Sequence, residues 1–188
     1  YSVAENFLPG QYFMCWNPYD SDGMMDKKHI CSEKPYSVGA IEFEDEYAKL
    51  GFTVKDLGRQ SGELIKLTAG DWLSIRGPFG NGFPKITDDK KEKIILVSGG
   101  IGSTPMHMAA SDLRSNFGKD IELIGIMGFQ NIADIHYVER MEEVCDVVHI
   151  TTDDGSKGTQ GFPTIVLEKL LQDDSITRVY TCGPEPMM

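Results

Sequence analysis

At 188 residues the chain has room for one large domain or two small ones, either able to bury a core. Hydrophobic content of 40% and charged content of 25% are those of a soluble globular protein, and no apolar run approaches a membrane span. A formal net charge of −11 argues against nonspecific binding to nucleic acid or to an anionic membrane, and reads as a solvated acidic surface. The first residue is Tyr1 rather than Met, so a preceding segment is expected, and a targeting peptide within it stays open.

Taken in chain order, residues 1–85 alternate short β-rich stretches with turn residues. Gln11 to Trp16, Pro35 to Ile41, Gly51 to Lys55 and Asp71 to Arg76 are predicted strands, punctuated by Gly58, Gly62, Gly70, Gly77 and Asn81-Gly82. They suggest a small antiparallel barrel or sandwich. Gly58 to Leu67 suits a short helix capped by Ser61.

From residue 86 onward strands and helices alternate. Predicted strands are Ile94 to Val97, Ile121 to Met127, Val147 to Ile150 and Arg178 to Thr181. Predicted helices are Pro105 to Phe117, about Ile135 to Val144, and Thr164 to Gln172. Apolar residues share a face at Met106, Ala109, Ala110 and Leu113, at Val138, Met141 and Val144, and at Val166 and Leu170. The expected fold class is therefore two-domain, an antiparallel β domain (1–85) followed by a parallel α/β domain (86–188).

Chemistry concentrates at Gly99-Gly100-Ile101-Gly102-Ser103-Thr104-Pro105, between the first α/β strand and its helix. Glycines let backbone approach a phosphate, and a helix start supplies unpaired N–H groups and a positive dipole end. Ser103 or Thr104 can cap the helix, and Pro105 fits its first turn. The spacing departs from the common Gly-x-Gly-x-x-Gly, and an ordinary strand–helix corner is the bland alternative. Gly128-Phe129-Gln130, Thr151 to Ser156 and Cys182 to Pro186 follow the other three strands. In an open parallel sheet, ligands bind outside the carboxyl ends of the strands, so the four loops suggest one elongated nucleotide cleft.

Cys15, Cys31, Cys145 and Cys182 include no Cys-x-x-Cys pair, so the visible chain has no sequence-local metal motif. They read as reduced thiols of a cytoplasmic protein, with spatial pairing left open. His107, His136 and His149 read as surface or packing histidines, and His29 lies in a polar segment; none is assigned to catalysis.

The order of "KPYSV" (34–38), "GGIGSTP" (99–105) and "CGPEPMM" (182–188) resembles the ferredoxin–NADP reductase superfamily of flavin- and pyridine-nucleotide-binding modules. Residues 53–83, "TDDGSKG" (152–158) and the terminal motif resemble, more narrowly, the electron-transfer subunits of class 1B dihydroorotate dehydrogenases. The resemblance implies an FAD-binding barrel and an NAD(P)-binding α/β domain. It implies flavin contacts from Lys34, Pro35, Tyr36 and Ser37, with Lys34 on the phosphates and Ser37 near the hydride-accepting atom. A lysine at 34, where the family more often has Arg, offers a point charge without the bidentate fork. Residues Gly58, Gln60 and Ser61 would meet the FAD pyrophosphate. Gly99, Gly100, Ile101, Gly102, Ser103 and Thr104 would hold the dinucleotide, and Asp154, Gly155 and Ser156 its nicotinamide-side ribose. Cys182, Gly183 and Pro184 would border the nicotinamide and flavin. Of these, Ser37 and Cys182 are the catalytic candidates, Cys182 as a positioning group because no base is identifiable beside it. In "GPFGNGF" (77–83), Gly77, Pro78, Gly80 and Asn81 either shape the domain junction or simply form a turn.

The implied activity is a relay between NAD(H) and a partner through flavin and a [2Fe–2S] cluster, the cluster lying in a C-terminal segment beyond Met188. The implied partner is an FMN-containing dihydroorotate dehydrogenase subunit in a hetero-oligomer, or another redox partner. Without Lys or Arg between Gly128 and Glu139, NADH is favoured over NADPH. Three alternatives stay open. One is a flavoprotein subunit of a ferredoxin-dependent NAD(P)H oxidoreductase or sulfhydrogenase. The others are a non-catalytic flavin-binding regulatory subunit and a nucleotide-binding domain without flavin.

Overall fold

A computed structural model describes residues 2–18, 33–86 and 92–188; His29 and Cys31 lie outside them. The chain divides into two compact units, Tyr1–Gly82 and Phe83–Met188.

The first unit comprises α1 (Ser2–Glu5), β1 (Tyr12–Trp16), β2 (Lys34–Phe43), β3 (Ala48–Phe52), α2 (Arg59–Leu64) and β4 (Ser74–Phe79). The strands form one antiparallel sheet, ordered β3-β2-β1-β4, with Phe13 opposite Tyr36 and Cys15 opposite Lys34. β3 lies earlier than Gly51 to Lys55 because β2 continues to Phe43. The Glu44 N–H then donates to the Tyr47 carbonyl at 2.9 Å, closing a short hairpin. β4 starts later than Asp71 because that carboxylate accepts the Thr68 N–H (2.8 Å) and hydroxyl (2.9 Å), which makes a turn there. The core centres on Phe13, fully buried and edge-on to Phe52 at 6.1 Å. Gly77, in β4 at φ 152°, passes close to it; an added Cβ would stand 2.9 Å from the Phe13 ring.

The expected Ser61 cap is corrected. Gly58, at φ 149°, occupies the cap position of α2 and supplies no side chain. Ser61 lies within the first turn, where its hydroxyl donates to the Gly58 carbonyl (3.1 Å) and accepts the Leu57 N–H (2.9 Å). It reaches back as the third helical residue of a capping box does.

The second unit is β5 (Lys93–Gly99), α3 (Ser103–Phe117), β6 (Glu122–Phe129), α4 (Val138–Val144), β7 (Val147–Thr152), β8 (Thr159–Gln160), α5 (Pro163–Leu170) and β9 (Arg178–Cys182). All pairings are parallel, in the order β8-β7-β6-β5-β9. The two-residue β8 was not foreseen. Alternation along β5 explains its unbroken apolar run. Ile94 and Leu96 join the cluster of Met106, Leu113 and Met141, whereas Ile95 and Val97 join Val166 on α5. Helices α3 and α4 thus cover one face and α5 the other. The winding direction changes between the adjacent strands β5 and β9, and in open parallel sheets ligands bind near such a switch point, outside the carboxyl ends of the strands.

α4 begins at Val138 rather than near Ile135. Ile132–Asp134 is a 3₁₀ turn, and Tyr137 adopts φ 64°, which an α-helix does not continue through. The opposite edge of the sheet is tied by Arg114. Its guanidinium donates to the carbonyls of Val144 (2.8 Å), Gly118 and Ile121, and to the Asp146 carboxylate at 2.7 Å.

Candidate functional site

The carboxyl edge of the parallel sheet carries the glycine-rich loop. Gly100–Gly102 makes a 3₁₀ turn that runs directly into the 15-residue α3. No side chain caps either start, and α3 has no acidic residue in its first turn. The leading N–H groups of such a run lack intrahelical acceptors, and nothing acidic in the first turn offsets the positive end of the helix. Beside them, the buried Thr104 hydroxyl has no hydrogen-bond partner among the described residues, and neither does Thr151 Oγ1 at the end of β7. Buried unpaired hydroxyls are costly, and a ligand with acceptor oxygens would satisfy them.

The loop's glycines do different work. A Cβ at Gly102 would stand 2.1 Å from the Cys182 carbonyl oxygen, and one at Gly99 would stand 2.7 Å from Met187 Sδ. A Cβ at Gly183 would meet Met187 Cε at 2.6 Å and the Gly99 nitrogen at 3.0 Å. These glycines let the loops after β5 and β9 close onto one another. Gly100 differs: it has φ 53° and nothing within 4 Å of an added Cβ. It is the glycine that leaves open space for a ligand.

The loops after β6 and β7 are also joined. Ser156 Oγ accepts the Ile132 N–H at 2.8 Å, and Ser156 donates to Asp154 Oδ1 from its hydroxyl (2.6 Å) and backbone (2.9 Å). Those bonds, the Ser156 hydroxyl first, hold the Asp154 carboxyl below its ordinary range. Gly155 turns the loop at φ 75°. On the first loop, Ser103 is fully buried and its Oγ lies 3.0 Å from His136 Nε2. Composition offered no sign of that pairing, because the two residues lie on different elements. Met187, packed on Gly99, was likewise not singled out.

Cys182 ends β9 beside Ser98 of β5 and is half-buried, and burial raises its thiol pKa. A neutral thiol suits a positioning group better than a nucleophile. Burial pushes Cys15 and Cys145 up to about 12. Both are expected to resist iodoacetamide at pH 8 in the folded protein and to react fully in denaturant, as mass spectrometry of the alkylated peptides would show.

In the first unit, β2 carries the KPYSV residues. Lys34 is exposed with no ion pair among the described residues, and Pro35 is exposed beside it. Strand alternation sends the side chains of Tyr36 and Ser37 to opposite faces of the sheet. Tyr36 lines a cavity of about 280 Å³ with Cys15, Phe52, Leu64 and Leu73, and burial, then the nearby Cys15, raises its hydroxyl pKa. Ser37 pairs in register with Tyr12. At α2 the side chains of both polar candidates are already engaged: Gln60 donates to the Cys15 carbonyl at 3.0 Å, and Ser61 is held as described. Exposed Arg59, not singled out from sequence, adds a cation at the start of this helix.

Among the described residues no group of three or more His, Cys, Asp or Glu is placed to hold a metal, and no helix is long and apolar enough to cross a membrane.

Residues 96–188 match the oxidoreductase NAD-binding domain family. The chain is 38% identical over 182 residues to a probable dihydroorotate dehydrogenase B (NAD(+)) electron transfer subunit of Thermococcus kodakarensis, covering 97% of this chain and 66% of that protein. It is 32% identical over 180 residues to the corresponding subunit of Listeria monocytogenes, covering 96% and 65%. It therefore spans a little under two thirds of these curated relatives. A solved NADH-dependent reduced ferredoxin-NADP oxidoreductase shares the fold, with TM-score 0.75 and 24% identity over 99% of this chain and 61% of that one. With an antiparallel sheet, a five-stranded parallel sheet wound on both faces and these sequence matches, the chain shares the fold of a solved ferredoxin-NADP+ reductase from Plasmodium falciparum (TM-score 0.65, 15% identity over 97% of this chain), and residues 96–188 match the oxidoreductase NAD-binding domain family.

Proposed function

We propose that this chain is the flavin- and NAD-binding part of an electron-transfer subunit that relays electrons between NAD(H) and a partner enzyme. The observation that carries the NAD(H) reading is the uncapped, acid-free start of α3, with open space at Gly100 and the unpaired Thr104 hydroxyl beside it. Backbone N–H groups of Gly100 to Gly102 would take the pyrophosphate. Asp154 and Gly155 would meet the ribose, and Cys182, Gly183 and Pro184 would border the nicotinamide. The segment after β6 supports NADH over NADPH. It has no Lys or Arg from Gly128 to Tyr137, and Asp134 there accepts Asn131 Nδ2 at 3.0 Å. A 2′-phosphate would meet an anion where it needs a cation.

For FAD, the donor set of the first unit fits a pyrophosphate with an aromatic ring nearby. Lys34 and Arg59 are exposed cations, the first-turn N–H groups of α2 lack intrahelical acceptors, and Tyr36 borders an apolar cavity. With the Gln60 and Ser61 side chains engaged, their contribution would come from backbone N–H groups. Ser37 would orient the ring by a hydrogen bond. Bound FAD supplies two-electron exchange with nicotinamide and one-electron exchange with an iron–sulfur partner. The finer reading extends the relay to a [2Fe–2S] cluster in sequence beyond Met188. It ends at an FMN-containing dihydroorotate dehydrogenase subunit, in a cytoplasmic hetero-oligomer.

An anaerobic visible-absorbance titration of the full-length protein, supplied with FAD, tests this. NADH is expected to bleach the flavin band at concentrations at least tenfold below those NADPH requires. Iron and acid-labile sulfide are expected alongside the flavin. A flavin band that neither nucleotide reduces would favour the non-catalytic regulatory reading. No flavin uptake would overturn the FAD assignment.

A further inference from the structure

We propose that His136 is a positioning residue of the nucleotide site, acting through Ser103; this rests on the NAD(H) reading above. The segment between β6 and α4 is a strap with hydrogen bonds at both ends. At one end the Ile132 N–H donates to Ser156 Oγ at 2.8 Å, in the loop after β7. In the middle, Asn131 accepts the Ala133 N–H at 2.9 Å and donates to Asp134 Oδ2 at 3.0 Å. At the other end His136 lies 3.0 Å from Ser103 Oγ, in the first turn of α3.

The chemistry of the partners sets the direction of that last bond. His136 Nδ1 lies 2.7 Å from the Asp134 carbonyl oxygen, which can only accept, so Nδ1 carries the hydrogen. In the uncharged imidazole Nε2 is then an acceptor, and the Ser103 hydroxyl donates to it. The ring is held edge-on by Phe129 at 5.3 Å and Tyr137 at 5.9 Å. Ser103 Oγ–H is therefore committed to the imidazole and does not donate to a phosphate. Its expected role as a ligand contact changes to that of an anchor. Phosphate recognition is left to the backbone of Gly100 to Gly102 and to Thr104. His136 thus joins the start of α3 to the strap, and the Ile132 N–H joins the strap to the loop after β7, so three walls of the cleft share one hydrogen-bonded frame. Preorganised walls cost less to order when the ligand arrives.

The test uses the full-length protein and NADH, with ¹⁵N spectra of the histidine rings and dissociation constants for His136→Phe, His136→Gln, Ser103→Ala and the double variant S103A/H136F. His136→Phe keeps the aromatic packing but removes both nitrogens; His136→Gln restores an acceptor. The wild type is expected to show the Nδ1–H tautomer, and Ser103→Ala to shift the Nε2 resonance alone. The NADH dissociation constant is expected to rise about fivefold in His136→Phe and in Ser103→Ala, no further in the double variant, and to recover largely in His136→Gln. If the wild type binds NADH and His136→Phe binds it equally well, or the two losses multiply, the positioning role is overturned. An Nε2–H tautomer overturns the bond direction. A wild type that binds no NADH overturns the nucleotide reading itself, and this role with it. Should His136→Phe fail to fold, His136→Gln and the tautomer still decide the question.

Discussion

Replacing Gly102 with Ala is expected to lower stability by about 3 kcal/mol and to weaken NADH binding at least tenfold. The backbone at 102 is ordinary, with φ −58°, so the loss has no conformational origin. It is steric. The new Cβ would stand 2.1 Å from the Cys182 carbonyl oxygen and 3.1 Å from Gly183 Cα. Both obstacles are main-chain atoms, which cannot rotate away as a side-chain tip can, so one loop must withdraw from the other. Overpacking of this kind typically costs ~1–3 kcal/mol, and backbone obstacles place it at the upper end. Gly100→Ala is the informative contrast. Its Cβ meets nothing within 4 Å, but at φ 53° it carries a left-handed backbone penalty of roughly 1 kcal/mol. It should therefore melt close to the wild type while still losing NADH affinity, because it fills the ligand's space. Thermal unfolding and NADH titration of the two variants check this. Equal melting temperatures for Gly102→Ala and the wild type would show that the loops after β5 and β9 are not packed as described.

Asp146→Asn is expected to cost about 1 kcal/mol at pH 7, and the cost should shrink toward pH 2. Asp146 accepts hydrogen bonds from Arg114 Nη2 (2.7 Å), Lys119 Nζ (2.8 Å) and the Leu123 N–H (2.9 Å). Burial by itself would raise its pKa, but the bonds from Lys119, Leu123 and Arg114 outweigh it and lower the carboxyl from 3.8 to about 2. A folded-state pKa below the unfolded one means stability that is complete above the unfolded value. It is lost as pH falls through the folded value, here between about 4 and 2. At this exposed site solvent screening cuts the stability carried by the shift to about 1 kcal/mol. Asp173, held at about 2 by Ser175 and then Lys93, titrates in the same window, so some acid sensitivity should remain in the variant. Urea denaturation of wild type and Asp146→Asn at pH 7 and near pH 2.5 measures the difference. A gap that stays constant with pH would show that the charge of Asp146 plays no part in it.

The parallel sheet was legible because its strands are buried on both faces. Ile94 to Val97 reads as an apolar run, and helical periodicity at Met106, Ala109, Ala110 and Leu113 marks the covering face of α3. The antiparallel unit was less legible in its boundaries. Where β3 and β4 begin depends on the Glu44–Tyr47 hairpin closure and on the Asp71 turn, local hydrogen bonds that strand propensity does not encode. Ser61 was misplaced for a related reason. A serine near a helix start can serve as the cap or as a residue reaching back from the first turn, and Gly58 decided which.

By itself, then, the amino-acid sequence determined the succession of strands and helices in the α/β half, the strand–glycine–helix corner at 99–105 and the family to which they point. These depend on local periodicity and on residues adjacent in the chain. Only the tertiary structure decided which glycines face a neighbouring loop and which face open space, that Cys182 seats against Gly102, and that Ser103 Oγ lies within hydrogen-bond distance of His136 Nε2 across 33 positions of sequence. Each is a contact between elements far apart along the chain, and only the packing of the sheet brings them together.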